Sequence, residues 1–159
     1  MRVRHFREKI VVIEEIDSVC REIRESNLTI VSSNGCFDIL HLGHIEYLQS
    51  ASGFGDILII GINSDDSVRR LKGVGRPINS ERNRASVIAS LGFVDYCVIF
   101  RDDSPTKLLG RIRPDIHVKG GDYLKHNLPE KKVVEENGGI VKILPQVKGF
   151  STTDIIKKS

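Results

Sequence analysis

The sequence predicts an α/β fold: a single domain with a Rossmann-like, doubly wound parallel sheet and helices on both faces. Two observations carry this. Short β-branched runs alternate with amphipathic helical stretches from Leu28 to Lys158, the order that parallel strands joined by crossover helices require. One of those runs, Asp56 to Ile62, is almost continuously apolar, as expected of a strand covered on both faces. At 159 residues the chain suits one core, because a domain of this size buries roughly two thirds of its unfolded surface without disulfides or a structural metal.

The elements follow in order. Ile13, Ile16, Val19, Cys20 and Ile23 fall at helical spacing among charged residues, which predicts an amphipathic lead-in helix over residues 10–26. Residues 1–27 then precede, and share a domain with, the body at 28–159. Leu28 to Ser33 reads as a strand that turns at Asn34-Gly35, with a helix from about Gly43 to Ser52. After the strand ending at Ile62, Asn63-Ser64-Asp65 can cap a short helix. Lys72 to Pro77, rich in glycine and charge, predicts a mobile loop before a helix from Ser80 to Leu91. Tyr96 to Phe100 is a strand, and Ser104-Pro105 places an N-cap and an N1 proline at the start of a helix to about Arg111. Asp115 to Lys119 is a strand, Pro129 to Asn137 a helix and Ile140 to Leu144 a strand, and Ser151 caps a last helix through Lys158. Such sheets bind ligands beyond the carboxyl ends of their strands, so the site is expected in the loops there.

Composition removes several classes of function. Three cysteines are an odd number, widely spaced and without a CxxC pair, so neither a disulfide framework nor a zinc site is predicted and a reducing cytoplasm suits them. No apolar stretch approaches the roughly 18 residues of a membrane span, and the charged N-terminus does not read as a leader. The net charge is +3, with 24 basic residues dispersed among 21 acidic ones, 6% aromatics and no Trp. A nucleic-acid partner is not predicted from that pattern, whereas small anionic ligands fit it.

The most informative stretch is Gly35-Cys36-Phe37-Asp38-Ile39-Leu40-His41-Leu42-Gly43-His44. It follows an apolar strand and opens a helix, and the free N–H groups of a helix start favour anions. Gly43 lets a phosphate come close, and His41 and His44 flank it as hydrogen-bond donors. Transfer at a nucleotide α-phosphate builds charge on departing pyrophosphate, so such donors lower the barrier without a covalent nucleophile. Taken alone, two histidines there can equally cap the helix.

GCFDILHLGH resembles the HxGH motif of the cytidylyltransferase-like nucleotidyltransferases. The resemblance implies that Gly35, Cys36 and Phe37 line the nucleotide pocket and that His41 and His44 contact the triphosphate. Asp38 either orients the turn or sits near the acceptor.

Three later segments narrow the reading. Lys72 and Arg76 bring two cations on the glycine loop, suited to an anionic acceptor or pyrophosphate. Lys119-Gly120-Gly121-Asp122 follows a strand, so Lys119 can neutralise phosphate while Asp122 accepts from ribose hydroxyls. Ser151, Thr152 and Thr153 offer hydroxyls at the opening of the last helix, though capping alone would also select them. Together the SNGCFDILHLGH, GINSD, KGVGRPIN, PDIHVKGGDY and FSTTDIIKK segments resemble the heptose 1-phosphate adenylyltransferases of ADP-heptose synthesis, from about residue 28 to 158.

That resemblance implies transfer of AMP from ATP to D-glycero-D-manno-heptose 1-phosphate with release of pyrophosphate, in a bacterial cytoplasm, for lipopolysaccharide core or other glycans. His41, His44 and Lys119 are the expected catalytic groups. No carboxylates show the spacing of a metal cage, so no metal ligand is predicted and Mg²⁺ is expected to arrive with ATP. A separate heptose kinase would supply the acceptor; relatives commonly form a homodimer or larger homo-oligomer, and the sequence does not decide between these and a monomer. Two other readings stay open: the same fold using CTP with glycerol 3-phosphate or another alcohol phosphate, and a nucleotide-binding sensor without turnover. A redox domain has no GxGxxG or CxxC to support it.

Overall fold

A computed structural model describes residues 3–121 and 128–159. Among these residues six strands, β1 (Ile10–Val11), β2 (Ile30–Gly35), β3 (Ile57–Asn63), β4 (Tyr96–Phe100), β5 (Ile116–Gly120) and β6 (Ile140–Leu144), are interspersed with seven α-helices. The helices are α1 (Ile16–Glu25), α2 (Leu42–Ser52), α3 (Asp65–Lys72), α4 (Glu81–Ala89), α5 (Thr106–Ile112), α6 (Pro129–Glu136) and α7 (Thr152–Lys158). Every strand pairing is parallel, in the order β1-β4-β3-β2-β5-β6.

The two faces follow from strand alternation. Leu58, Ile60 and Ile62 of β3 pack with Leu48 and Ala51 of α2 and Ala85, Ile88 and Ala89 of α4. Ile59 points the other way, to Ile16, Cys20 and Ile23 of α1 and Leu108 and Ile112 of α5. These side chains are almost wholly buried, each large one contributing about 1.5–3 kcal/mol of hydrophobic stabilisation. The doubly wound sheet is therefore as predicted. No helix among the described residues is long and apolar enough to cross a membrane.

The lead-in segment differs from expectation. Helix α1 begins only at Ile16, and Ile10–Val11 forms an edge strand paired with Cys97 and Val98 of β4. Lys9 explains the early extension: its buried ammonium donates to the carbonyls of Val94 at 2.7 Å and Leu91 at 3.2 Å, pinning the N-terminal segment beside β4. A second difference lies after β2. Asn34 and Gly35 stay in the strand, opposite Gly61 and Ile62, and the chain turns at Phe37 with φ +47°. A third is small: α5 starts after Pro105 as its N-cap residue, while the Ser104 hydroxyl accepts from the Thr106 amide.

Candidate active site

Strand β2 lies between β3 and β5. The chain leaves β2 in one direction through β3 and β4, then returns to β5 on the other side. Crevices in open α/β sheets form at this kind of reversal, outside the carboxyl ends of the strands. Here the crevice is a cleft of about 960 Å³. It is lined by Gly35, Cys36, Phe37, Asp38, His41, Gly43 and His44 from the β2–α2 segment, by Lys72 and Arg76, by Lys119 and Gly120, and by Ser151, Thr152 and Thr153. Residues from four separate stretches of sequence thus meet in one place. Asp122, the remaining expected residue, lies outside the described residues.

The β2–α2 turn is shaped by steric constraints. Phe37 takes a left-handed backbone conformation uncommon for a side chain of its size, and its ring folds back over Gly35, where a Cβ would approach Phe37 Cε2 to 2.9 Å. Gly43 has a comparable reason. A Cβ there would meet the His41 ring and Phe150 Cβ at 3.0 Å, so the glycine admits both at the helix start. His41 is the N-cap residue of α2 and makes no side-chain cap bond, which leaves first-turn N–H groups open to an anion.

The two imidazoles stack, with centroids 3.7 Å apart and planes at 21°, and Phe37 meets His44 edge-on at 5.2 Å. Burial lowers the His41 pKa. Burial, and then the neighbouring His41, pull His44 down to about 4, against the Ile39 carbonyl, which works the other way. Burial thus favours the neutral form of both rings. Nδ1 of each is buried with no hydrogen-bond partner among the described residues.

The glycine loop is exposed at its tip. Gly73 and Gly75 have positive φ, and Val74 between them is fully exposed. Its far end is pinned. The buried Asp38 carboxylate accepts from the amides of Ile78 at 2.9 Å and Asn79 at 2.9 Å and from Arg76 Nε at 2.8 Å. Burial alone would raise its pKa, but the Asn79 and Ile78 amides and Arg76 outweigh that and hold it below the usual carboxylate range. Of the two roles open to Asp38 from sequence, this geometry provides the first, orienting the turn and the loop. Lys72 ends α3 at the rim, exposed.

Arg84 is a structural residue that sequence reasoning missed. It is 1% exposed and donates to the Cys36 carbonyl at 2.6 Å, the Asn79 carbonyl at 3.0 Å and Asp65 at 2.8 Å. It ties the β2–α2 turn, the glycine loop and the start of α3 together. The signal was present: Arg84 sits one turn before Ile88 on the apolar face of α4, and an unpaired arginine is almost never buried there.

At the end of β5, Lys119 reaches Asn34 Oδ1 at 3.2 Å and Glu130 Oε1 at 3.1 Å. Gly120 packs under the Tyr47 ring, whose hydroxyl bonds Ser33 at 2.6 Å and the Val118 carbonyl at 2.8 Å. At the far wall, Ser151 caps α7 by accepting from Asp154, and Thr152 donates to the Ile39 carbonyl at 3.3 Å. Asn63, Tyr47, Glu130 and Pro145 to Val147 also line the cleft; sequence reading placed none of these in the site.

The fold and cleft together gather imidazoles, an ammonium and an uncapped helix start at a sheet reversal, a setting of the α/β type that suits an anionic ligand. A model of the cytidylyltransferase-like family matches residues 33–158, and the chain belongs to that family. It is 47% identical over 150 residues to the bifunctional protein HldE of Syntrophotalea carbinolica, covering 94% of this chain and 31% of that protein. With the HldE of Haemophilus influenzae the identity is 49% over 144 residues, covering 91% and 30%. The chain therefore spans about a third of the length of these curated relatives. Among solved structures, a lipopolysaccharide core biosynthesis protein from Thermoplasma volcanium superposes with TM-score 0.64 at 31% identity, covering 77% of this chain and 99% of that one. Pantoate-β-alanine ligase from Francisella tularensis gives TM-score 0.66 at 16% identity, covering 92% and 75%, a likeness of fold.

Proposed function

We propose that this domain is an adenylyltransferase that moves AMP from ATP onto D-glycero-D-manno-heptose 1-phosphate, giving ADP-heptose and pyrophosphate. The observation that carries it is the convergence of the stacked His41–His44 pair, the open start of α2 and Lys119 on one cleft. The similarity to HldE over most of the chain supports the choice of acceptor, as does the lipopolysaccharide core biosynthesis neighbour.

In this reading an acceptor phosphate oxygen forms a bond to the α-phosphorus as the α–β bridging bond breaks, and the electron pair leaves on pyrophosphate. The attacking oxygen is already ionised near pH 7, so no general base is required. Positioning and charge neutralisation supply the rate. His41 and His44 donate to the triphosphate, Lys119 neutralises it, and Ser151, Thr152 and Thr153 bound its far side. Lys72 and the outer guanidinium nitrogens of Arg76 face the acceptor or the leaving pyrophosphate, with Asp38 holding Arg76 in place. Asp38 and Glu130 are both engaged by cations, so Mg²⁺ enters as part of the Mg·ATP substrate. The reading requires a sugar kinase to make the acceptor and a cytoplasmic setting where ATP is available.

The test is pyrophosphate release from ATP or CTP, each with heptose 1-phosphate of either anomer or glycerol 3-phosphate. Release with ATP and a heptose 1-phosphate alone is expected. Turnover with CTP and glycerol 3-phosphate would keep the fold and replace the substrates, and tight ATP binding with no turnover would favour a sensor.

A further inference from the structure

Glu130 lines the cleft and carries no role in the sequence reading. It is 7% exposed and lies in the first turn of α6. Its Oε1 is 3.1 Å from Lys119 Nζ, with the two side chains 9% and 12% exposed, and its Oε2 is buried with no partner among the described residues. Asn34 Oδ1 touches the same ammonium from β2. Three elements thus converge on one cation at the reversal point of the sheet.

Stability does not explain this arrangement. A buried ion pair recovers its desolvation cost only when its remaining polar atoms are satisfied, and well-packed apolar substitutes are often as stable or more so. An Oε2 without a partner among the described residues adds to that cost. Fixing a cation is what such a pair does well. A lysine ends in a compact charge on a flexible four-carbon stem, and two acceptors on separate elements remove that freedom before substrate arrives.

We propose that Glu130 is a positioning residue for Lys119, holding its ammonium at the carboxyl ends of β2 and β5 where phosphate charge develops. The inference rests on the reading of the cleft as a triphosphate site. In Glu130→Gln, kcat for pyrophosphate release falls roughly tenfold or more while KM for ATP changes less than about threefold, because the loss is of orientation in the transition state. In a Lys119→Met background the same substitution causes no further loss, and Lys119→Met/Glu130→Met keeps the wild-type melting temperature. A packing role for Glu130 predicts equal losses in both backgrounds and a lowered melting temperature in the double variant, and either result overturns the proposal.

A second readout is independent of the reaction. Acetic anhydride labelling followed by mass spectrometry should modify Lys119 several-fold faster in Glu130→Gln than in wild type, and inorganic tripolyphosphate should slow it in wild type. If wild type turned over no nucleotide and acceptor pair yet showed that labelling pattern, the transferase reading would fail and the pairing would stand. Unchanged Lys119 labelling in Glu130→Gln would overturn the pairing whatever the turnover.

Discussion

His41 and His44 stack as two rings, each with a buried Nδ1 that has no partner among the described residues, beside a helix start whose cap residue makes no side-chain bond. On the proposed function, each ring is a donor to phosphate oxygens. His44→Ala should lower kcat about a hundredfold to a thousandfold, the effect typical of losing one preorganised donor to a developing oxyanion, in a steady-state pyrophosphate assay. The charge state gives a separate expectation. Burial holds His41 low and His44 at about 4, and triphosphate against the rings favours their protonated forms. ATP binding near about pH 6 should therefore take up protons, seen as calorimetric heats that depend on buffer ionisation enthalpy. Heats independent of buffer there would mean that the rings do not face the phosphates. The HxGH residues were legible in sequence because they are contiguous and follow a strand. Lys119–Glu130 and Asp38–Arg76 were not, because each contact depends on how separate elements meet.

At the scale of elements, the cleft is held by a latch between the β2–α2 turn and the root of the glycine loop. Asp38 binds the amides of Ile78 and Asn79, and Arg84 joins the carbonyls of Cys36 and Asn79. Arg84→Met removes the charged donor that joins those part-buried carbonyls and Asp65, at a cost of about 1.5–3 kcal/mol for hydrogen bonds to a charged group; urea denaturation should show the loss as a lower midpoint with little change in slope. An unchanged midpoint would mean that the latch adds nothing to stability. Element type was readable wherever local pattern decides it. Tyr96–Phe100 and Ile140–Leu144 have the predicted bounds, and Ser64, Ser80 and Ser151 each cap the helix after them. Ile10–Val11 was not readable as a strand, since two residues carry no periodicity and pairing with β4 together with the Lys9 anchor decides their conformation.

For the whole molecule, acid should weaken the fold over a defined window. His44 and His117 fall to about 4 and about 3 in the folded chain, both chiefly through burial, from the ordinary 6.5. The unfolded chain therefore binds protons first, so stability is complete above about pH 6.5 and is lost as pH falls through 4 towards 3. Urea midpoints measured between pH 7 and 4 should decline, and His117→Gln should flatten the decline; a flat wild-type profile would contradict the buried, neutral state of these rings. Ligand binding should act in the opposite direction. ATP with Mg²⁺ at a hundred times its Kd adds about 2.7 kcal/mol, a rise in melting temperature of about 5–10 °C for a domain of this length. The sheet and the place of the cleft were legible because alternation of elements dictates both, whereas the choice of nucleobase was not, because main-chain groups can make it. The most direct measurement is ³¹P NMR of ATP, Mg²⁺ and heptose 1-phosphate with wild type and with His44→Ala. Diphosphate resonances of a nucleotide-sugar should appear with pyrophosphate in the wild type and be nearly absent in the variant. Equal product from both proteins, or pyrophosphate with no nucleotide-sugar, would contradict a sugar-phosphate adenylyltransferase working through this cleft.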